Sequence, residues 1–131
     1  MKMFFFRYSL KFFILFISLI PFISHAETYG SGVKHIVFCW LHEPGQPEQI
    51  EQVIKTSKEL KIIPGVIDIQ AGKAINSERP IVDDSFDVGL VMTFKNTVDM
   101  KNYLNHEEHV SRVNRVLRPL CQRILVYDIA Y

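Results

Sequence analysis

This chain lacks a large excess of positive charge, and its basic residues form no stripe. The 131 residues include fifteen Lys and Arg and fourteen Asp and Glu. Proteins that bind nucleic acids usually carry a basic patch that contacts phosphates. We therefore predict no nucleic-acid partner. Low-complexity tracts and internal repeats are also absent, and aromatic and β-branched residues are plentiful, which argues against a disordered chain.

The sequence has no hydrophobic run long enough to predict a membrane anchor. The apolar run Phe12–Ile23 has about twelve residues, whereas a membrane-spanning helix needs about twenty. Basic residues precede this run and Ser24-His25-Ala26 follows it, a pattern typical of a secretory signal peptide. We predict a signal peptide over residues 1–26, cleavage after Ala26, and a periplasmic or secreted domain over residues 27–131 without a stable membrane anchor. Cleavage would remove three basic and no acidic residues, which changes the net charge from +1 to −2.

Cysteine is equally scarce, with only Cys39 and Cys121 in the chain. No cysteine follows the predicted cleavage site directly, so a lipoprotein anchor would have no attachment point. In an oxidising compartment two cysteines can form a lasting disulfide, but they can also be small buried residues. A bridge requires Cα atoms within about 7 Å and suitable Cβ directions. Because cross-strand neighbours are often poorly oriented for bridging, two packed thiols are the favoured interpretation.

Hydrophobic periodicity predicts one compact domain of four strands and three helices. The third strand, for example, alternates apolar Phe86, Val88, Leu90, Met92 and Phe94 with more polar residues. The order strand, helix, two strands, helix pair, strand is typical of the ferredoxin-like split βαβ fold, an α+β fold whose antiparallel sheet has helices on one face. The predicted strands cover 33–40, 66–75, 86–94 and 123–131, and the predicted helices cover 47–60, 96–104 and 106–117.

Both faces of the first and last predicted strands are largely apolar. In the last strand Ile124 and Val126 alternate with Leu125, Tyr127 and Ile129. Helices would cover one face of the sheet and leave the other exposed, and an exposed apolar patch of that size usually marks a partner surface. Two copies packed sheet against sheet would bury it, so we predict a homodimer.

Histidine is concentrated in the segment NHEEHV, residues 105–110. His106 and His109 are three residues apart and share one side of a helix start. A cleft between sheet and helices would bring His109 together with His35 of the first strand and Tyr103, giving two groups suited to proton transfer near neutral pH and one phenol donor. The alternative is structural, because a buried histidine needs only one good hydrogen-bond partner.

The same segment does not predict a metal site or a bound cofactor. The zinc-protease motif places its histidines four residues apart, and a zinc site needs three or four ligands rather than two. Glu107 and Glu108 are better explained as acidic residues that favour a helix N-terminus. We predict neither a metal nor a cofactor.

Four segments together resemble the stress-responsive A/B barrel (Dabb) family: VKHIVFCW, FDVGLVMTF, YLNHEEHV and VYDIAY, in this order over residues 33–131. The resemblance implies a ferredoxin-like fold that dimerises into an α+β barrel, with a pocket between sheet and helices. In the polyketide cyclases of the family, aldol chemistry uses the positions occupied here by His35, Tyr103 and His109. His109 would then be the general base, and His35 and Tyr103 would bind and orient the substrate. His106 matches the first histidine of the motif, whereas Glu107 replaces the usual proline.

Three functions are therefore expected, in this order. The first is an exported barrel of uncharacterised activity that binds a small, partly apolar ligand through His35, Tyr103, His106 and His109. The second is a cyclase or lyase that abstracts a proton next to a carbonyl group with His109 as its base. The third is a module that only dimerises, with a pocket filled by its own side chains. Most members of the family have no established activity, so membership does not decide between them.

Overall fold

The computed structural model describes residues 32–131, and the predicted signal peptide lies outside these residues. The strands are β1 (Val33–Leu41), β2 (Val66–Lys73), β3 (Val88–Phe94) and β4 (Cys121–Ala130). The helices are α1 (Pro47–Glu59), α2 (Thr97–Asn105), α3 (Glu107–Arg112) and α4 (Arg118–Leu120), with a 3₁₀ turn at Leu60–Ile62 and a π-helical turn at Val113–Leu117. No helix within residues 32–131 is both long and apolar enough to cross a bilayer.

The four strands form one antiparallel sheet in the order β2-β3-β1-β4. This confirms the predicted ferredoxin-like α+β fold, with the first and last strands as neighbours. Along β1 every second residue is buried, because successive strand side chains point to opposite faces. His35 and Val37 lie on the face that the helices cover, and Phe38 lies on the opposite, outer face.

The core lies between the sheet and the helices. Leu90, Met92 and Phe94 of β3 are almost fully buried there, as are Val53 of α1 and Tyr103 of α2. The turn after β1 is held by one side chain. The Asp87 carboxylate accepts hydrogen bonds from the backbone N–H groups of Leu41 (2.7 Å) and Gly45 (2.6 Å). Gly45 has φ 76°, a conformation that glycine adopts without steric cost.

Phe86 departs from the sequence prediction. We expected it to begin β3 on the face of Leu90 and Met92, but the strand starts at Val88. The Phe86 ring instead packs on Phe38 of the outer face, with ring centroids 4.7 Å apart. The hydrogen bonds of Asp87 fix the backbone just before β3. The alternation of inward and outward side chains along β3 therefore does not extend to Phe86.

The second helix of the predicted pair is not one regular helix. His106 has an extended backbone, with ψ 138°, and interrupts the helix between α2 and α3. α3 then widens into the π-helical turn, in which Val113 and Leu117 follow His109 at intervals of four residues. A π turn contains more residues per turn than an α-helix, so residues four apart stay closer to one side. The widening keeps these three side chains directed toward the sheet.

Cys39 and Cys121 form a disulfide, and the expectation of two packed thiols is wrong. A β-bulge between Trp40 and Leu41 shifts the register of β1 against β4, so that Cys121 lies opposite Leu41. The two cysteine Cα atoms are 5.8 Å apart, within the range of disulfides. The bond fastens the start of β4 to the end of β1.

Candidate functional site

A cavity of about 160 Å³ lies between the sheet and the helices, next to β4. Its walls are mostly apolar, and three polar side chains face it: His35, Tyr103 and His109. The sequence predicts that these three residues meet, and the fold brings them together. The apolar part of the lining consists of Val37, Leu60, Leu90, Met92, Leu104, Val113, Leu117, Ile124 and Val126.

His35 is held by an acidic residue of the neighbouring strand. The register of β1 and β4 places Asp128 opposite His35, and His35 Nδ1 lies 2.7 Å from Asp128 Oδ1. An ionised carboxylate only accepts hydrogen bonds, so Nδ1 carries the proton. This fixes the orientation of the imidazole ring and leaves Nε2 for another partner. Asp128 is not predicted from the sequence as a site residue, because only the strand register reveals which residue faces His35.

Among the polar residues of the cavity lining, Tyr103 is the one whose buried hydroxyl lacks a hydrogen-bond partner within residues 32–131. Its side chain is fully buried and packs against Phe94 and His109, with ring centroids 5.1 and 4.5 Å away. Burial raises the pKa of the phenol, so the group stays neutral and keeps its proton. A buried hydroxyl without a partner is rare and costs stability.

His109 presents an unprotonated nitrogen. Its Nδ1 lies 3.0 Å from the backbone carbonyl oxygen of Leu104, and because a carbonyl only accepts, Nδ1 is the donor. Burial lowers the pKa of His109, and the positive charge that His35 can carry lowers it further, although the hydrogen bond to Leu104 opposes this shift. The imidazole is therefore neutral at physiological pH, with a lone pair on Nε2. That is the state a hydrogen-bond acceptor or general base requires.

His106 lies outside the cavity lining. It is the N-cap of α3, and its Nδ1 accepts a hydrogen bond from the backbone N–H of Glu108 at 3.2 Å. Glu107 and Glu108 occupy the first turn of α3, and Glu108 also pairs with Arg112, which in turn binds Glu59 of α1. This network positions α3 above the sheet. Among residues 32–131 no group of three or more His, Cys, Asp or Glu side chains is placed to hold a metal ion.

The fold and the cavity together define a ferredoxin-like α+β domain with a small, mostly apolar pocket beneath its helices. Residues 33–131 match the model of the stress responsive A/B barrel domain, and the chain belongs to this family. No curated protein has a significant sequence match to the chain.

Solved structures from several organisms share the fold. A Dabb family protein from Mesorhizobium loti is 21% identical, with 75% of this chain and 94% of that chain aligned and a TM-score of 0.62. A dimeric ferredoxin-like protein of unknown function from Thermobifida fusca is 21% identical over 78% and 92% of the two chains (TM-score 0.63). The hydroxynitrile lyase of Passiflora edulis is 22% identical over 77% and 94% of the two chains (TM-score 0.67). At these identities the similarity establishes the fold and not the activity.

Proposed function

We propose that this protein binds a small, partly apolar molecule in the cavity beneath its helices, with His35, Tyr103 and His109 as the polar contacts. One observation carries the proposal: Tyr103 belongs to the cavity lining, and its buried hydroxyl has no partner within residues 32–131. A purely structural core would pair such a group or replace it by phenylalanine. A ligand oxygen in the cavity would supply the missing acceptor.

The test uses two valine-to-phenylalanine variants of neighbouring helical turns. Val113 lines the cavity, whereas Val110 is 44% exposed on the outside of α3. Native mass spectrometry of wild-type protein purified from its own compartment should detect a reproducible added mass. Val113→Phe fills the cavity and should lose this mass, and Val110→Phe should retain it. Bare wild-type chains would contradict ligand binding and favour the alternative in which assembly is the only function.

The second candidate function is a lyase or cyclase reaction with His109 as general base. The neutral imidazole with its free Nε2 supports it, and the hydroxynitrile lyase of Passiflora edulis shows that the fold can carry an enzyme. Loss of a general base usually lowers the rate by about 10² to 10⁴. If the protein is such an enzyme, His109→Gln should lower kcat by a factor of this size, well beyond any loss of ligand affinity. An activity that survives the substitution would exclude His109 as the base.

The compartment and the assembly are part of the proposal. Disulfides persist in oxidising compartments, so the Cys39–Cys121 bond supports export after cleavage behind Ala26. The outer face of the sheet exposes Tyr127 and Ile129, and several proteins of the same fold are dimeric. Both observations support an exported homodimer. Edman sequencing of secreted protein that begins at Glu27 would support the cleavage site, and an N-terminus elsewhere would contradict it.

A further inference from the structure

The C-terminal segment, residues 107–131, contributes little to the buried core. It comprises α3, the π-helical turn, α4 and β4, and of its residues only Leu117 and Cys121 are buried. The other members of the buried hydrophobic core all lie within residues 33–105. Burial of apolar surface is the dominant favourable term in folding. Noncovalent packing therefore holds this segment less firmly than it holds the rest of the domain.

The strand β4 has the weakest packing of the four strands relative to its length. It is an edge strand that pairs with β1 alone. One of its ten residues is buried, whereas five of the seven residues of β3 are buried. Its hydrogen bonds to β1 replace bonds that the detached chain makes to water, so each contributes little net free energy. The Cys39–Cys121 bond is thus the firmest attachment of β4 to the domain.

We propose that the Cys39–Cys121 disulfide makes docking of the C-terminal segment depend on oxidation. In the reduced chain, β4 detaches from β1 far more often than in the oxidised chain. The sheet of β2, β3 and β1 and the helices α1 and α2 stay folded in both states, because residues 33–105 contain most of the core.

The positions of the two cysteines suit this role. Cys121 is the first residue of β4, and Cys39 lies in β1, a central strand with a neighbour on each side. With residues 33–105 still folded, the part of the chain that the bond restrains is the stretch 106–121. Cross-linking a loop of about 15 residues shifts the equilibrium between docked and detached states by about 10²-fold, since it removes conformational freedom from the detached state.

The bond forms by exchange with a disulfide oxidant, the chemical class that acts in oxidising compartments. The thiolate of one cysteine attacks the oxidant, which gives a mixed disulfide and releases one oxidant thiol. The second cysteine then displaces the other oxidant thiol and closes the Cys39–Cys121 bond. Each cysteine loses one hydrogen, and the two oxidant thiols take them up. Because both cysteines are buried when β4 is docked, the exchange takes place in the detached state.

Oxidation would complete two surfaces of the molecule at once. β4 supplies Ile124 and Val126 to the cavity lining, and it supplies Tyr127 and Ile129 to the outer face of the sheet. The reduced chain would lose one wall of the cavity and part of the face on which the homodimer is proposed. The consequence for assembly rests on the proposed homodimer, whereas the detachment of β4 does not.

The experiment is hydrogen–deuterium exchange followed by mass spectrometry on the oxidised wild type and on Cys39→Ala/Cys121→Ala. We expect the amide protection of β4 (Cys121–Ala130) to fall by about 10²-fold in the variant. Protection of β3 (Val88–Phe94) should be retained. The single variants Cys39→Ala and Cys121→Ala, kept reduced, also lack the bond and should match the double variant in β4.

A second comparison uses the wild-type chain itself. Protein unfolded and reduced with dithiothreitol, then refolded without an oxidant, should show the low β4 protection of the double variant. Refolding with oxidised glutathione should restore full protection. The double variant has no thiol at either position, so its exchange should be the same with and without oxidised glutathione.

Two results would overturn the inference. Unchanged β4 protection in the double variant and in the reduced wild type would show that the strand is held without the bond. Equal losses in β3 and β4, including a variant that is unfolded throughout, would show that the bond stabilises the whole domain as one unit. Neither result affects the native mass spectrometry test of ligand binding, which is made on the oxidised protein.

Discussion

At the scale of single residues, the buried hydroxyl of Tyr103 is expected to lower the stability of the ligand-free protein. Its ring packs against Phe94 in the core, but its buried hydroxyl is unpaired within residues 32–131. Tyr103→Phe keeps the ring and removes the unpaired group, so we expect the ligand-free protein to gain about 1 kcal/mol in free energy of unfolding. Urea denaturation measures this change. A loss of stability in Tyr103→Phe would show that the hydroxyl has a partner.

His109 should make the stability of the protein depend on pH. Its pKa in the folded state lies below the reference value of 6.5, mainly because of burial. As the pH falls below about 6.5, the unfolded chain takes up a proton that the folded protein does not, and so the free energy of unfolding decreases. This decrease should level off below the folded pKa and be smaller in His109→Gln. The exposed His42 supplies the control His42→Gln, which should retain the wild-type slope. An equal slope in wild type and His109→Gln would contradict the shift.

At the scale of elements, His106 is expected to act through α3 and not through the ligand. Its Nδ1 accepts from Glu108 N–H at the helix start. His106→Ala removes this cap and should lower the free energy of unfolding by about 1 kcal/mol, whereas asparagine is a good N-cap and His106→Asn should restore most of it. Chemical denaturation tests the pair. The added mass detected by native mass spectrometry should be retained in His106→Asn. A loss of this mass in that variant would support the sequence-based prediction that His106 binds the ligand.

The elements also show how far the sequence could predict the site. Period-two and helical patterns located the four strands and the helices α1, α2 and α3 approximately, because burial of one face imposes those periods. The three polar cavity residues were found from their types and positions on neighbouring elements. Asp128 and the disulfide were not predicted, because both depend on the register of β4 against β1. The disulfide depends also on the bulge at Trp40 and Leu41. The π-helical turn was missed because its residues form an ordinary helical pattern.

At the scale of the whole molecule, the outer face of the sheet is the surface on which we propose that two copies of the chain assemble. This face carries an aromatic cluster in which Phe38 packs on Phe86 and Tyr127, and Arg123 stacks on Trp40 at 4.3 Å. Tyr, Trp and Arg are the residue types that most often dominate binding energy at interfaces. The cavity lies on the other side of the sheet, so a partner on the outer face would leave the ligand site separate.

Substitution on the outer face should therefore dissociate the homodimer and preserve the fold. Tyr127→Glu introduces a charge on the edge strand β4 of this face, where burial against a second copy would leave it unpaired. We expect a dimer for the wild type and a monomer for Tyr127→Glu in light scattering coupled to size exclusion. Val98→Glu is the control, because Val98 is 61% exposed on α2 in the helical layer, and it should remain dimeric. A monomeric wild type would contradict the homodimer, and dissociation by Val98→Glu alone would place the interface on the helical layer; either result would leave the apolar outer face of the sheet without an explanation.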